Sequence, residues 1–301
     1  MENHGKAMVL ASFAADSLAL GAHWIYDSGR LEKEFGRVES LLKPKSDSYH
    51  SSKDKGEFTH YGDQMFVLLE SLASVGGFEA DDFARRWKQL FEDYAGYFDH
   101  ATKATLHNLS QGKPPLDAGS SSEDLAGASR IAPLVFFYRE NQDALVEAAR
   151  IQTKMTHNHP MVVDSCEFFA RVAFLVLKGE SPVTSMEKIA EEMFSSSPVL
   201  KWVREGIDSS GEDTIKAIAR FGQSCHYGDA FPGVVHLIAK YEEDLKEALI
   251  QCIMAGGDSA GRGMIAGMIL GAYLGPERVP KEWIRGLKRY QTIERYLDAA
   301  L

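Results

Sequence analysis

Two stretches of this chain are almost continuously apolar, against a background in which polar and apolar positions interchange. The first, Lys6 to Tyr26, has Asp16 as its one acidic residue and crowds Ala11, Ser12, Ala14, Ala15 and Ser17 together. The second runs from Met254 to Pro276, and beyond Asp258 its glycines 263, 267, 271 and 275 recur every four positions. On a helix that spacing lays four glycines along one face, where another backbone can approach closely. Each costs a helix interior roughly 1 kcal/mol relative to alanine, so close packing has to offset the loss. At well under about 20 residues the run is too short to span a bilayer. Both stretches are expected as buried helices packed in the molecule's centre.

Helical periodicity fills most of the remainder: Asp81 to Tyr97, His100 to Leu109, Gln142 to Met155, a long apolar segment from Pro160 to Lys178, and Glu243 to Ala255. Thr184 and Glu187 have capping-box spacing, Ser197-Pro198 suits an N-cap followed by proline, and Asp63 suits an N-cap. Residues 37–62, Ser110 to Ser122 and Phe221 to Pro232 look irregular. Few runs alternate with period two, so the chain is expected to form one all-α domain over residues 1–301.

The polar loops carry His or Asp where they meet apolar helices, which suggests a pocket at one end of a helical bundle. Gly256-Gly257 permits a tight turn into the glycine-rich helix, Asp258 or Ser259 can cap it, and Arg262 falls in its first turn. That arrangement suits a ligand site; a well-capped core helix with an Asp258–Arg262 pair at i,i+4 is the plainer alternative. A buried Asp16 needs a hydrogen-bond partner or a ligand. His60 and Tyr61 precede the expected cap and are placed to face a pocket. His157-Asn158-His159 suits either a metal or a turn before Pro160. Cys225-His226 lacks an evident third group for a thiol nucleophile, and no GxGxxG follows a strand.

Of the residues, 45% are hydrophobic, enough for a sizeable core, and the net charge of -10 argues against a general nucleic-acid binder. Cys166, Cys225 and Cys252 have neither metal-ligand nor disulfide spacing, and no signal-like start is evident. A cytoplasmic protein without membrane or nucleic-acid partners is expected.

Taken together, Ala15-Asp16-Ser17-Leu18-Ala19, His60-Tyr61-Gly62-Asp63-Gln64-Met65, Thr156-His157 and Gly256-Gly257-Asp258-Ser259-Ala260-Gly261 resemble, in order, the motifs of the ADP-ribosylglycohydrolase family. His23-Trp24-Ile25-Tyr26, with Arg262-Gly263 after Gly257-Asp258-Ser259, is similar to its branch of J-type crystallins and selenoprotein J. The resemblance implies a compact orthogonal helical bundle and hydrolysis of an ADP-ribosyl or related glycosidic bond. Asp63, Asp258 and His60 are then the candidate catalytic groups. Asp16, His23, Tyr61, His157, Ser259 and Arg262 are the candidate substrate contacts, for ADP-ribose or another phosphorylated sugar. Family members hold two divalent ions through a Thr-Asp-Asp and an Asp-x-Asp-Thr element. Here His60-Tyr61-Gly62 replaces the first, and Ala260 and Gly261 replace the end of the second. No dinuclear centre and no cofactor is therefore expected, at most one weak magnesium or manganese ion on Asp63 and Asp258. Arg262 is expected to supply positive charge for an anion instead. A non-catalytic, crystallin-like member that binds a ligand or is purely structural is the alternative.

Overall fold

A computed structural model describes residues 2–300, and among these it has seventeen α-helices and three short 3-10 turns. Extended pairing among the described residues is confined to two isolated bridges, Ser120 with His157 and Asp124 with His226. The chain is thus all-α, as its periodicity predicts.

At the centre lie the helices Glu2–Ala19 and Ser259–Leu274. The glycines set their register. A Cβ on Gly267 would lie 2.9 Å from the Ala11 carbonyl oxygen, one on Gly271 2.8 Å from Ala11 Cβ and 3.0 Å from the Ala7 oxygen, and one on Gly275 2.7 Å from the His4 ring. As the glycine number rises its partner's number falls, so the two helices run antiparallel in steps of one turn. Ser12 Oγ donates to the Met264 carbonyl at 3.0 Å across the same seam. Around this pair pack Pro160–Leu177, Tyr227–Lys240 and Leu245–Met254, and one continuous apolar core extends from Ala7 to Leu297. No helix among the described residues is long and apolar enough to cross a membrane.

Several boundaries differ from expectation. The helix His60–Val75 begins before Asp63, because Thr59 is the N-cap and its Oγ1 accepts from the Tyr61 amide at 3.1 Å. His60 and Tyr61 therefore belong to the first helical turn. Ser181, rather than Thr184, caps Pro182–Met193. The amphipathic stretch from residue 81 stops at Leu90, leaving residues 91–98 irregular. Tyr227–Lys240 is helical although it contains Pro232, where local sequence favours a loop. Pro232 forfeits one bond to the Gly228 carbonyl. The fully buried stripe Val234, Val235, Leu237 and Ile238 outweighs that loss.

Candidate active site

The turn ahead of the glycine-rich helix assembles the site. Gly256 and Gly257 adopt φ of 74° and 68°, and a Cβ on Gly257 would lie 2.1 Å from the Gln223 carbonyl oxygen. Only glycine allows both the conformation and the approach. The turn is stitched to the end of the N-terminal helix by Trp24 N to Gly257 O and Gly257 N to Ile25 O, each 2.9 Å, and Asp258 N donates to Gln223 O at 2.9 Å. Trp24 has φ of 62°, the one positive value at a non-glycine position among the described residues. The paired backbone on either side holds a conformation that costs on the order of 1–3 kcal/mol in a bulky residue.

This stitching brings His23 to Asp258. The Ala260 amide donates to His23 Nδ1 at 3.3 Å, which places the imidazole proton on Nε2, 3.6 Å from Asp258 Oδ1. Asp258 occupies the N-cap position and is fully buried; the Gly261 amide lies near enough to favour its charge, but neither oxygen makes a well-formed hydrogen bond. Burial raises its pKa to about 6, against the opposing charge of Arg262. Burial likewise drives His23 well below the ordinary histidine range, helped by His50, His60 and Arg262.

The Asp258–Arg262 pair of the plainer alternative does not form. Arg262 is fully buried and donates to the Gln223 carbonyl at 3.2 Å and to the Gly256 carbonyl. It clamps the glycine turn from within, the side chain running beside Gly233.

His60 turns Nε2 toward Asp99 Oδ2 at 3.2 Å. Burial works against ionising Asp99, but His60, His157 and the Thr102 amide hold its carboxyl well below the usual range. His157 is also buried; its Nδ1 lies 2.9 Å from Thr156 Oγ1, while Nε2 has no partner. Burial and then Arg130 lower its pKa to about 4. Arg130 positions this corner: fully enclosed, it bonds Gln64 Oε1 at 2.7 Å, Gln152 Oε1 at 2.9 Å and the Thr156 hydroxyl.

A fourth histidine completes the cluster. His50, from the long irregular segment, is fully buried with ring centroids 5.4 Å from His23 and 5.6 Å from His60. Neither of its nitrogens has a partner, and burial lowers its pKa to about 2. Trp24 stacks on His23 at 4.4 Å and meets Tyr97 and Tyr49 edge-on at 5.0 and 5.2 Å, closing the cluster from outside. Tyr61 packs on His60 at 4.0 Å and on His23 at 5.7 Å.

His23, His60, Tyr61, His157 and Asp258 thus share one site, and the other sequence candidates border it, most of them engaged with other partners. Asp16 is buried behind the site and accepts from the Thr59 amide at 2.8 Å and from the Thr59 hydroxyl, fastening the cap of the His60 helix. Burial raises its pKa to about 7 despite those bonds. Asp63 is bound to Lys53 Nζ and to the Tyr94 hydroxyl, 2.7 Å away. Ser259 is buried with its hydroxyl unpartnered.

His50, Asp99, Asp124 and Arg130 carry no local sequence signal that marks them as site residues. Asp124 is the third group that Cys225 lacked in sequence: the thiol donates to its Oδ1 at 2.9 Å. Burial first, then Asp258 and Asp124, push the thiol pKa up, so Cys225 keeps its proton. Beside it opens a cleft of about 610 Å³ lined by residues 121–124, His100, His159 and His226. Glu123 spans its mouth, 3.3 Å from His226 Nε2 and 3.7 Å from His159 Nε2.

A family model described as ADP-ribosylglycohydrolase matches residues 1–301, and this chain belongs to that family. It is similar to Crystallin J1A of Tripedalia cystophora, 23% identical over 99% of this chain and 96% of the relative. It is also similar to ADP-ribosylhydrolase ARH3 of Gallus gallus, 24% identical over 87% of this chain and 83% of the relative. A solved ADP-ribosylglycohydrolase-related protein complex shares the fold, with a TM-score of 0.79 at 21% identity over 99% of this chain and 97% of the other.

Proposed function

We propose that this protein hydrolyses an ADP-ribosyl or related ribosyl glycosidic bond without the dinuclear metal centre of its relatives. One observation carries the proposal: Asp258, fully buried and without a well-formed hydrogen bond, with a pKa raised to about 6 beside His23. A carboxyl poised near neutrality suits a general base toward water. His60, backed by the Asp99 carboxylate, is placed to take up or return a proton in the same site. Family membership supports a glycosyl bond as the target.

The residues do not fit two hard divalent ions, which want about six oxygen ligands each. A side chain on Gly62 would have its Cβ 2.2 Å from Asp16 Oδ2, and one on Gly261 would have it 2.3 Å from Asp258 Oδ2. Carboxylates thus fill the space at two of the replaced positions, Gly62 and Gly261, while Tyr61 and Ala260 bring no carboxylate of their own. Among the described residues no three His, Cys, Asp or Glu side chains converge on a metal position. No step of the proposed reaction runs through a metal.

Turnover of an ADP-ribosylated substrate and of simpler ribosides, with and without chelator, tests the proposal. The expected result is turnover insensitive to chelator and reduced about 10²–10⁴-fold by Asp258→Asn. Turnover that chelator abolishes and magnesium or manganese restores would overturn it. The crystallin-like, non-catalytic reading is favoured by one feature, the His50 ring packed over His23 and His60; it requires that no riboside be turned over.

A further inference from the structure

We infer that Arg130 and Thr156 are positioning residues for His157: through the Thr156 hydroxyl they fix the imidazole in the tautomer that presents Nε2–H to the ribosyl part of a bound ADP-ribosyl group. The inference rests on the reading above that the site takes such a group, and adds how one of its donors is set.

Arg130 is a buried cation whose hydrogen bonds, among the described residues, go to neutral oxygens: Gln64 Oε1, Gln152 Oε1, the Gln152 carbonyl at 3.4 Å and the Thr156 hydroxyl. A cation buried without a carboxylate bonded to it is a costly way to hold a core together. What it holds are the two turns that carry His60 and His157. Gln64 Nε2 donates to the His60 carbonyl at 3.0 Å, and Thr156 directly precedes His157.

The direction of each bond follows from what the groups can give. A guanidinium only donates, so the Thr156 oxygen accepts from Arg130 and keeps its own hydrogen for another partner. That partner is His157 Nδ1, 2.9 Å away. The opposite assignment, Nδ1–H donating to Thr156, would strand the hydroxyl hydrogen at a residue only 2% exposed. Nδ1 therefore offers its lone pair, and the ring proton sits on Nε2. Nε2 is buried and has no partner among the described residues. A buried N–H donor held in one tautomer without a protein acceptor is a group kept for a ligand.

The backbone sets this donor beside the cleft. Ser120 N donates to Thr156 O at 3.0 Å and Asn158 N to Ser120 O at 2.7 Å, which pairs His157 with the residue just before the cleft wall of residues 121–124. Thr105 Oγ1 donates to Thr156 O at 3.3 Å from the helix His100–Ser110, whose cap is Asp99, the partner of His60. Burial and Arg130 also keep the His157 ring uncharged. A phosphate draws its strongest hydrogen bonds from cations, whereas a neutral N–H suits a sugar hydroxyl or ring oxygen.

Two measurements on the full-length protein test this. Long-range proton–nitrogen NMR reads the tautomer, with the His157 signals identified by their loss in His157→Gln. A lone pair on Nδ1 and a proton on Nε2 are expected; a proton on Nδ1 would overturn the inference. Calorimetric binding of ADP-ribose, and of ADP, which lacks the terminal ribose, reads the contact. Arg130 lies in the core, where substitution threatens the fold, so the hydroxyl carries the test. Thr156→Val is expected to weaken ADP-ribose about 5–10-fold and ADP by less than about 2-fold, and Thr156→Ser to restore the parent affinity. Retained ADP binding shows that the fold is intact. ADP weakened as much as ADP-ribose, a loss that serine does not restore, or a parent protein that does not bind ADP-ribose would each overturn the inference. Riboside turnover unchanged in Thr156→Val would sink it and leave the glycosidase reading standing. The expected tautomer and affinity loss with no turnover of any riboside would do the reverse.

Discussion

At the scale of single residues, Asp258 ties the proposed chemistry to stability, and the two pull in opposite directions. Its folded-state pKa of about 6 lies above the ordinary 3.8, so the fold favours the protonated carboxyl. The associated stability is fully present below pH 3.8 and is lost as pH rises through about 6. A shift of that size corresponds to about 3 kcal/mol. Asp258→Asn keeps the shape and removes the charge. It is expected to raise unfolding free energy at pH 8 by about 1–3 kcal/mol and to flatten the decline between pH 4 and pH 6. Denaturant unfolding at pH 4, 6 and 8 reads this directly; a variant less stable than the parent at pH 8 would contradict the burial argument. Asp16, which burial raises to about 7 even with Thr59 bonding both of its oxygens, has a dependence of the same sign, so a decline as pH rises through 7 is expected to remain in Asp258→Asn. Asp258 stood out in the sequence because two glycines precede it at the mouth of an apolar helix. His50 and Asp99 did not. One lies in a Ser- and Lys-rich segment and the other follows a run of aromatics, and only the closed fold brings either to His60. Arg262 was visible as a charge, but not its direction: the nearest carboxylate in sequence lost to two main-chain carbonyls.

At the scale of elements, a glycine period of four announced a helix packed against a backbone, and the register confirms the close approach while separating the glycines by need. A Cβ on Gly267 or Gly271 meets Ala11 and Ala7 at 2.8–3.0 Å, but one on Gly263 finds Ala15 Cβ at 3.5 Å, an ordinary contact. Gly267→Ala and Gly271→Ala are therefore expected to cost about 1–3 kcal/mol through overpacking. Gly263→Ala is expected to be neutral or to gain up to about 1 kcal/mol from helix propensity. Three variants destabilised to the same extent in chemical denaturation would refute this antiparallel register. Periodicity located the two central helices because each is apolar all round. It failed at Tyr227–Lys240, where Pro232 and two glycines argue locally for a loop, and at residue 60, where Thr59 captures the cap that Asp63 was expected to provide. In both places long-range packing or a cross-chain bond from Asp16 decides what a local window cannot see.

At the scale of the whole molecule, the site is covered by a segment that the core holds only weakly. Between Leu42 and Lys55 the chain makes no helix, and its ties to neighbouring elements are side-chain pairs: Arg30 with Asp47 at 2.9 Å, Lys45 with Glu34 at 2.7 Å, Lys288 with Asp54 at 3.0 Å and Lys53 with Asp63. Exposed pairs of this kind contribute about 0–1 kcal/mol each, so the first three are weak anchors. The Lys53–Asp63 pair is mostly buried and is the strongest, at 14% and 7% side-chain exposure. The His50 ring beneath it makes no hydrogen bond to hold it in place. The segment should accordingly open with a free energy well below that of global unfolding, exposing His60 and Asp258 without disturbing the central helices. Lys53→Ala removes the main anchor. It is expected to speed hydrogen exchange of the amides from residue 45 to 55 by about 10-fold or more, equivalent to about 1.4 kcal/mol, and to leave exchange within Ser259–Leu274 unchanged. High salt should act in the same direction on the parent by loosening the exposed pairs. Exchange of residues 45–55 only in step with the core, in the parent and in Lys53→Ala alike, would mean that the cover is part of the global unit and that the histidine cluster is sealed in the native state.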